Sequence, residues 1–231
     1  MPGARTTTEG RRYGGADADE RRERRRATLI EAGLDLFGEV GYPHVSVKRL
    51  CERAGLTQRY FYESFADRSA LLIAVYDHCV EIARSATVAA ADVYLTGPDG
   101  VAPAEVPAAA RAALGAFMDA IAGDPRRARV MLVEVVGVDP EVESTRLRAI
   151  HEWANLVLAL AMGERAVSVP QRLAAIGLVG AVTQLLVDWY FTSIAADPVD
   201  IGTTTDVGLD TVLDVSVEMF IATHDRLLRQ A

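Results

Sequence analysis

The sequence predicts an all-α protein: an N-terminal three-helix unit containing a helix-turn-helix, followed by a larger helical domain. Three observations predict it. Half of the 231 residues are hydrophobic, and most of these are Ala, Val and Leu, while aromatics make up only 6%; Ala and Leu favour helix. Apolar residues recur at three- and four-residue spacing through most of the chain. The stretches between these runs carry Gly, Pro and Asp, the residues that stop one helix and cap the next.

Residues 1–20 are rich in Gly, Thr and charge and show no apolar period, so they are expected to form a disordered arm. Arg21, Arg22, Arg24, Arg25 and Arg26 follow. They suit either a solvated helix start or a basic arm laid along a phosphate backbone or into a minor groove. The first helix is expected from about Arg22 to Val40, with Leu29, Gly33, Leu36, Phe37 and Val40 on one face. Gly41 ends it. A short second helix follows over about 47–54, capped by Ser46 and buried through Val47, Leu50, Cys51 and Ala54. Gly55 makes the turn. Thr57 is positioned to cap a third helix over 58–64, whose Phe61, together with Phe65, faces the core. Asp67 is a good cap for a fourth helix running from Arg68 past Ala83. Further helices are expected near 104–122, 125–136, 140–162, 170–196 and 206–229, separated by Gly123-Asp124-Pro125, Asp139-Pro140, Gly163 and Asp197-Pro198.

Charge divides the chain. Residues 1–75 hold 13 Lys/Arg against 11 Asp/Glu, and the remainder holds 11 against 21. The front third can meet a polyanion; the rest repels one. Cys51 and Cys79 are the only cysteines, too few for a disulfide framework and without metal-ligand spacing, which fits a reducing cytoplasm. The N-terminus lacks the basic-then-apolar pattern of a signal peptide. The apolar run Leu173 to Val187 contains Thr183 and Gln184, ends at Asp188, and reads as a buried helix rather than a membrane span. No nucleophile elbow, phosphate-binding Gly loop or metal site is visible, so neither an enzyme nor a cofactor is expected.

Two short helices joined by a tight glycine turn make a helix-turn-helix. Its second helix fits a major groove about 12 Å wide and brings its first residues to the base edges. The stretch Leu29-Ile30-Glu31-Ala32-Gly33, Leu36-Phe37, Gly41-Tyr42, Val45-Ser46-Val47, Leu50-Cys51, Ala54-Gly55-Leu56-Thr57, Tyr62, Phe65, Arg68, Leu71-Leu72 resembles the N-terminal domain of the TetR family, in order and without a gap. The resemblance implies a DNA-binding domain at 21–67 and a ligand-binding and dimerisation domain at 68–231. It implies that Ser46 and Lys48 touch DNA backbone or a nearby base, and that Thr57, Gln58, Arg59 and Tyr60 open the recognition helix. By chemistry Gln58 suits adenine and Arg59 suits guanine. Tyr62 matches the family tyrosine whose hydroxyl meets phosphate, Ser64 is a further backbone contact, and Arg68 stands where the family usually has a phosphate-facing Lys. Arg59 and Tyr60 depart from the small residues the family often has there, and Glu63 must be turned aside or paired with an arginine to avoid repelling phosphate.

The resemblance further implies a homodimer through the helices near 170–196 and 206–229, a near-palindromic operator in double-stranded DNA, and an unidentified small-molecule effector. The first of these helices is apolar around nearly its whole circumference and must be covered on all sides, by a second copy or as a core helix of a monomer. Candidate walls for the effector pocket are Phe117, Met118, Met131, Trp153 and Trp189; candidate polar handles are Glu134, Gln184 and Asp188, while His151, beside Glu152 and near Arg148, reads better as a surface residue. Ordinary core packing is the competing role for each wall residue. The alternative for the whole chain is a helical small-molecule-binding or structural protein that never meets DNA.

Overall fold

A computed structural model describes residues 10–95, 100–195 and 207–228, with side chains from residue 18. The described residues are helical and hold no strand; a single isolated antiparallel bridge joins Leu95 and Val101. In chain order the helices are α1 (Gly10–Val40), α2 (Val47–Ala54), α3 (Gln58–Ser64), α4 (Arg68–Asp92), α5 (Val106–Ala122), α6 (Pro125–Arg129), α7 (Pro140–Met162), α8 (Val169–Ser193) and α9 (Leu209–Thr223). A short 3₁₀ turn covers Tyr42–His44, and π-helical turns extend α6 over Val130–Glu134 and α9 over His224–Leu228.

The expected bounds of α2, α3 and α7 are met. The start of α1 is not. Of the expected disordered arm, residues 1–9 lie outside the described residues, but from Gly10 onward the backbone is helical. Lack of an apolar period says that a segment does not pack, not that it cannot coil. No proline interrupts 10–41, so a helix nucleated over the buried stretch propagates back through good formers such as Ala, Glu and Arg.

Each boundary has a local cause. Gly41 follows α1 with φ +87°, and Gly55 closes α2 in the left-handed conformation at φ +64° while its amide reaches the carbonyls of Cys51 and Glu52. Ser46 caps α2, accepting from the Arg49 amide at 3.2 Å. Asp67, Asp124, Asp139 and Ser168 likewise accept backbone amides at the starts of α4, α6, α7 and α8. Thr57 sits at the cap position of α3, yet its side chain makes no capping bond.

The three-helix head closes around Leu29, Phe37, Leu50, Phe61, Leu71, Leu72, Val75 and Cys79, all buried. The same cluster takes in Val130 and Val135 from the segment after α6 and Val142 from α7, so apolar packing runs on across the expected boundary at residue 67/68. A second cluster joins α5, α8 and α9 through Met118, Ile121, Leu186, Trp189 and Val212. A third joins the ends of α7 and α9 through Leu158, Met162 and Leu228.

Candidate DNA interface and effector cavity

The third helix presents its first residues outward. Phe61 is fully buried and Phe65 nearly so, and these two anchors fix the roll of the short helix. Arg59 therefore points away from the core, and Gln58, Tyr60 and Tyr62 are exposed beside it, with the Arg59 side chain 85% accessible. Thr57 is exposed beside them. On α2, Ser46 and Lys48 are exposed too, Lys48 pairing loosely with Glu52 at 3.8 Å. Seven of the nine expected DNA contacts are thus exposed.

Two do not fit the roles expected of them. The Ser64 hydroxyl oxygen is buried and makes no hydrogen bond among the described residues, so it cannot reach a phosphate in this arrangement. It lies in the last turn of α3, one residue before the buried Phe65. Arg68 also turns inward. Its Nη1 donates to the carbonyls of Tyr42 (3.2 Å) and Val45, and its guanidinium stacks 4.8 Å from the Tyr42 ring. It straps the turn between α1 and α2 to the start of α4. Charge-assisted bonds of this kind are worth ~1.5–3 kcal/mol. Arg68→Ala should lower the melting temperature by roughly 4–8 °C, at about 2–4 °C per kcal/mol for a chain of this size. It should leave the salt dependence of DNA binding unchanged, whereas loss of a phosphate contact would flatten the slope by about one unit. Calorimetry and titrations at several salt concentrations check both arms.

Glu63 is neutralised as required. Its carboxylate accepts from Arg59 Nε at 3.0 Å and lies 3.8 Å from Arg25, while Arg22 donates to its carbonyl at 3.1 Å. The Arg25 guanidinium also stacks 4.5 Å from the Tyr60 ring, and that of Arg26 lies 5.0 Å from the Phe65 ring. Part of the arginine run of α1 thus braces the recognition helix, a use between the two the sequence suggested; Arg21 and Arg24 remain exposed.

Polar bonds tie the head to the second domain. On α1, Asp35 accepts from Arg53 of α2 at 2.7 Å and also pairs with Arg126 of α6. Arg126 in turn grips Asp124 at 2.8 Å, and that guanidinium holds the Asp124 carboxyl below the usual carboxylate range. Glu134 accepts from the Tyr42 amide and from Arg129 Nε, both at 2.7 Å, and Arg129 donates to the Glu39 carbonyl at 3.1 Å. The Tyr42 hydroxyl lies 3.1 Å from Ser69 Oγ, which donates to Asp139.

Behind the head, α4, α5, α7, α8, α9 and the π turn after α6 enclose a cavity of about 540 Å³, within the ~300–1,000 Å³ usual for small-molecule sites. Phe117, Met131, Trp153 and Gln184 line it as expected, with the rings of Phe117 and Trp153 edge-on at 4.8 Å. Met118 and Trp189 are buried in the α5–α8–α9 core and do not line it. Glu134 faces the head instead, its carboxylate held by Tyr42 and Arg129. Asp188 is half-buried one turn beyond Gln184 on α8 and does not line the cavity; it accepts from Gln184 Nε2 at 2.7 Å. The sequence reading missed Tyr76, Arg146 and His224, which do line the cavity. None belongs to a motif; their inward roll becomes visible only once the helices are packed.

An outward, polar helix start braced by two buried aromatics, with an apolar cavity behind it, is the arrangement of a helix-turn-helix head packed onto a helical body. Residues 29–75 match the model for bacterial regulatory proteins of the tetR family. Residues 29–75 of the chain are thus a TetR-family DNA-binding domain. No curated protein matches the sequence. Solved structures are similar over nearly the whole chain. The fatty acid degradation regulator FadR from Bacillus halodurans is 17% identical, with a TM-score of 0.61 over 90% of this chain and 97% of that one. FadR from Bacillus subtilis, in complex with stearoyl-CoA, is 14% identical, with a TM-score of 0.61 over 85% and 98%. A TetR-family regulator from Mesorhizobium loti is 17% identical, with a TM-score of 0.59 over 87% and 97%. At these identities the likeness is one of fold.

Proposed function

We propose that the chain is a cytoplasmic, homodimeric repressor that reads a near-palindromic operator with residues 21–67 and answers to a small molecule held in residues 68–231. The outward start of α3 carries the DNA part of the reading. Gln58 and Arg59 are exposed at the first two helical positions, where a helix seated in a major groove meets base edges. Arg59→Ala should relax preference at one operator position, at a cost of ~1–3 kcal/mol there. Selection from randomised DNA measures it, and an unchanged base preference would remove Arg59 from the readout.

The dimer is supported by α8. On this helix Leu173, Gly177, Gly180 and Gln184 form one exposed stripe, with Leu173 62% accessible and Asp188 half-buried at its end. A methyl group added at Gly177 or Gly180 would meet nothing within 4 Å. The helix is long and apolar enough to cross a membrane, but its exposed stripe ends in an amide and a carboxylate. Close, two-fold packing against a second copy covers the small and apolar part of that stripe, from Leu173 to Gly180.

The segment from α6 through its π turn is the physical link between cavity and head. Met131, Leu132 and Val133 line the cavity. From the same few turns Arg126, Arg129 and Glu134 hold Asp35, the Glu39 carbonyl and the Tyr42 amide. A ligand that displaces one side displaces the other, and the spacing of two heads in a dimer changes with it.

A further inference from the structure

Reading the cavity as the effector site leaves the chemistry of the effector open, and the wall residues narrow it. Besides the phenol of Tyr76, Arg146 and His224 are the only titratable residues among those lining the cavity, and no carboxylate side chain lines it. Both potential cations already have anions. Arg146 is gripped by Glu143 through two bonds, Nη2 to Oε1 at 2.6 Å and Nε to Oε2 at 3.1 Å. Nδ1 of His224 lies 3.3 Å from Oδ1 of Asp225.

The neutral polar groups are largely used as well, the Gln184 amide nitrogen donating to Asp188 at 2.7 Å. The Thr87 and Thr183 hydroxyls donate to carbonyls one turn back, both at 2.8 Å. The Tyr76 hydroxyl and the Trp153 indole N–H make no hydrogen bond among the described residues. Burial raises the Tyr76 phenol to about 12, so it stays protonated and able to donate.

We infer that the cavity takes an uncharged, mainly apolar molecule with one or two hydrogen-bonding oxygens, and discriminates against carboxylates, phosphate-bearing thioesters and ammonium ions. A carboxylate entering here would lose its water and find each guanidinium or imidazole already paired, and an ammonium would find no carboxylate at all. An alcohol or ketone loses little and can take the free hydroxyl or indole donor. The inference rests on the effector-site reading above, and it parts from the acyl-CoA ligand of the Bacillus subtilis structure.

Four probes of equal chain length isolate the head group: decanol, decanoate, decanoyl-CoA and decyltrimethylammonium. Each is titrated into the full chain by calorimetry, with fluorescence anisotropy on a selected operator as the second readout. Decanol is expected to bind at least tenfold tighter than the other three and to change DNA affinity. Equal or tighter binding of a charged probe overturns the neutral class while leaving the cavity as a ligand site. Decanol binding without any change in DNA affinity supports the class and removes the effector role. No binding by any probe overturns both. Glu143→Gln, at the partly buried partner of Arg146, frees the guanidinium; it should raise decanoate affinity about tenfold and keep that of decanol within twofold. Decanoate affinity unchanged in this variant overturns the charge-cancellation account.

Discussion

Glu134→Ala is expected to cost about 3 kcal/mol of stability and to weaken DNA binding at the same time. The carboxylate is 8% exposed and accepts two bonds at 2.7 Å, one from the Tyr42 amide and one from the Arg129 guanidinium. Bonds to a charged group are worth ~1.5–3 kcal/mol each and do not add in full. Truncation also strands Arg129, whose side chain is 30% exposed and so recovers part of its hydration. The melting temperature should fall by roughly 6–12 °C. DNA affinity should fall because the Tyr42 amide begins the turn that leads, through Val45, to the Ser46 cap of α2. Glu134→Gln keeps an acceptor for Tyr42 but no charge for Arg129, and should recover about half of the loss. Thermal unfolding and operator titration of the two variants measure the pair; an alanine variant that melts within a degree of wild type and binds DNA normally would show that this carboxylate does not connect the domains.

The same residue shows where sequence reading stops. Glu134 was a fair candidate for a ligand handle, since a carboxylate in an apolar helix usually has a task. Its partner Tyr42 lies 92 residues earlier, and nothing local announces the pairing. Asp188 and Met118 failed as pocket residues for a related reason: apolar period identifies a buried helix but not which side of it faces a void rather than a neighbour. Local signals fared better. Gly41, Ser46, Gly55 and Asp67 are stop and cap residues whose effect is set within four positions, so α2 and α3 were legible to the residue. The exposed start of α3 followed in part from the same pattern, because burying Phe61 turns Arg59 outward, whereas Gln58 is exposed as the first residue of the helix. Arg68 and Ser64 went the other way because a resemblance transfers position, while the direction of a side chain depends on what else competes for it. At Arg68 the carbonyls of Tyr42 and Val45 and the Tyr42 ring, all in the turn after α1, take the guanidinium.

The second large effect belongs to Gly38. Alanine in place of a mid-helix glycine ordinarily stabilises by ~0.5–1 kcal/mol, because glycine loses more freedom on folding. Here the sign should reverse. A Cβ on Gly38 would stand 2.4 Å from Cβ and 2.6 Å from Cα of Arg126, with its carbonyl oxygen at 2.9 Å. These are atoms at or beside the main chain of α6, and no rotamer change moves them. Helices α1 and α6 would have to part by about an ångström to restore contact distance, at a cost of ~1–3 kcal/mol. Gly33 on the same helix provides the control. Its added Cβ would meet a single methyl, Val75 Cγ2 at 2.8 Å, rather than main chain; that valine is buried and stiff, so Gly33→Ala should also destabilise, but less than Gly38→Ala. Because α6 carries both the Arg126–Asp35 pair and, just beyond it, the cavity residues Met131 and Leu132, Gly38→Ala should also blunt the effect of a bound ligand on DNA affinity. Melting curves and operator titrations with and without ligand measure the two effects together. A Gly38→Ala protein more stable than wild type, with its ligand response intact, would mean that α1 and α6 do not meet this closely, and the proposed coupling would lose its contact surface.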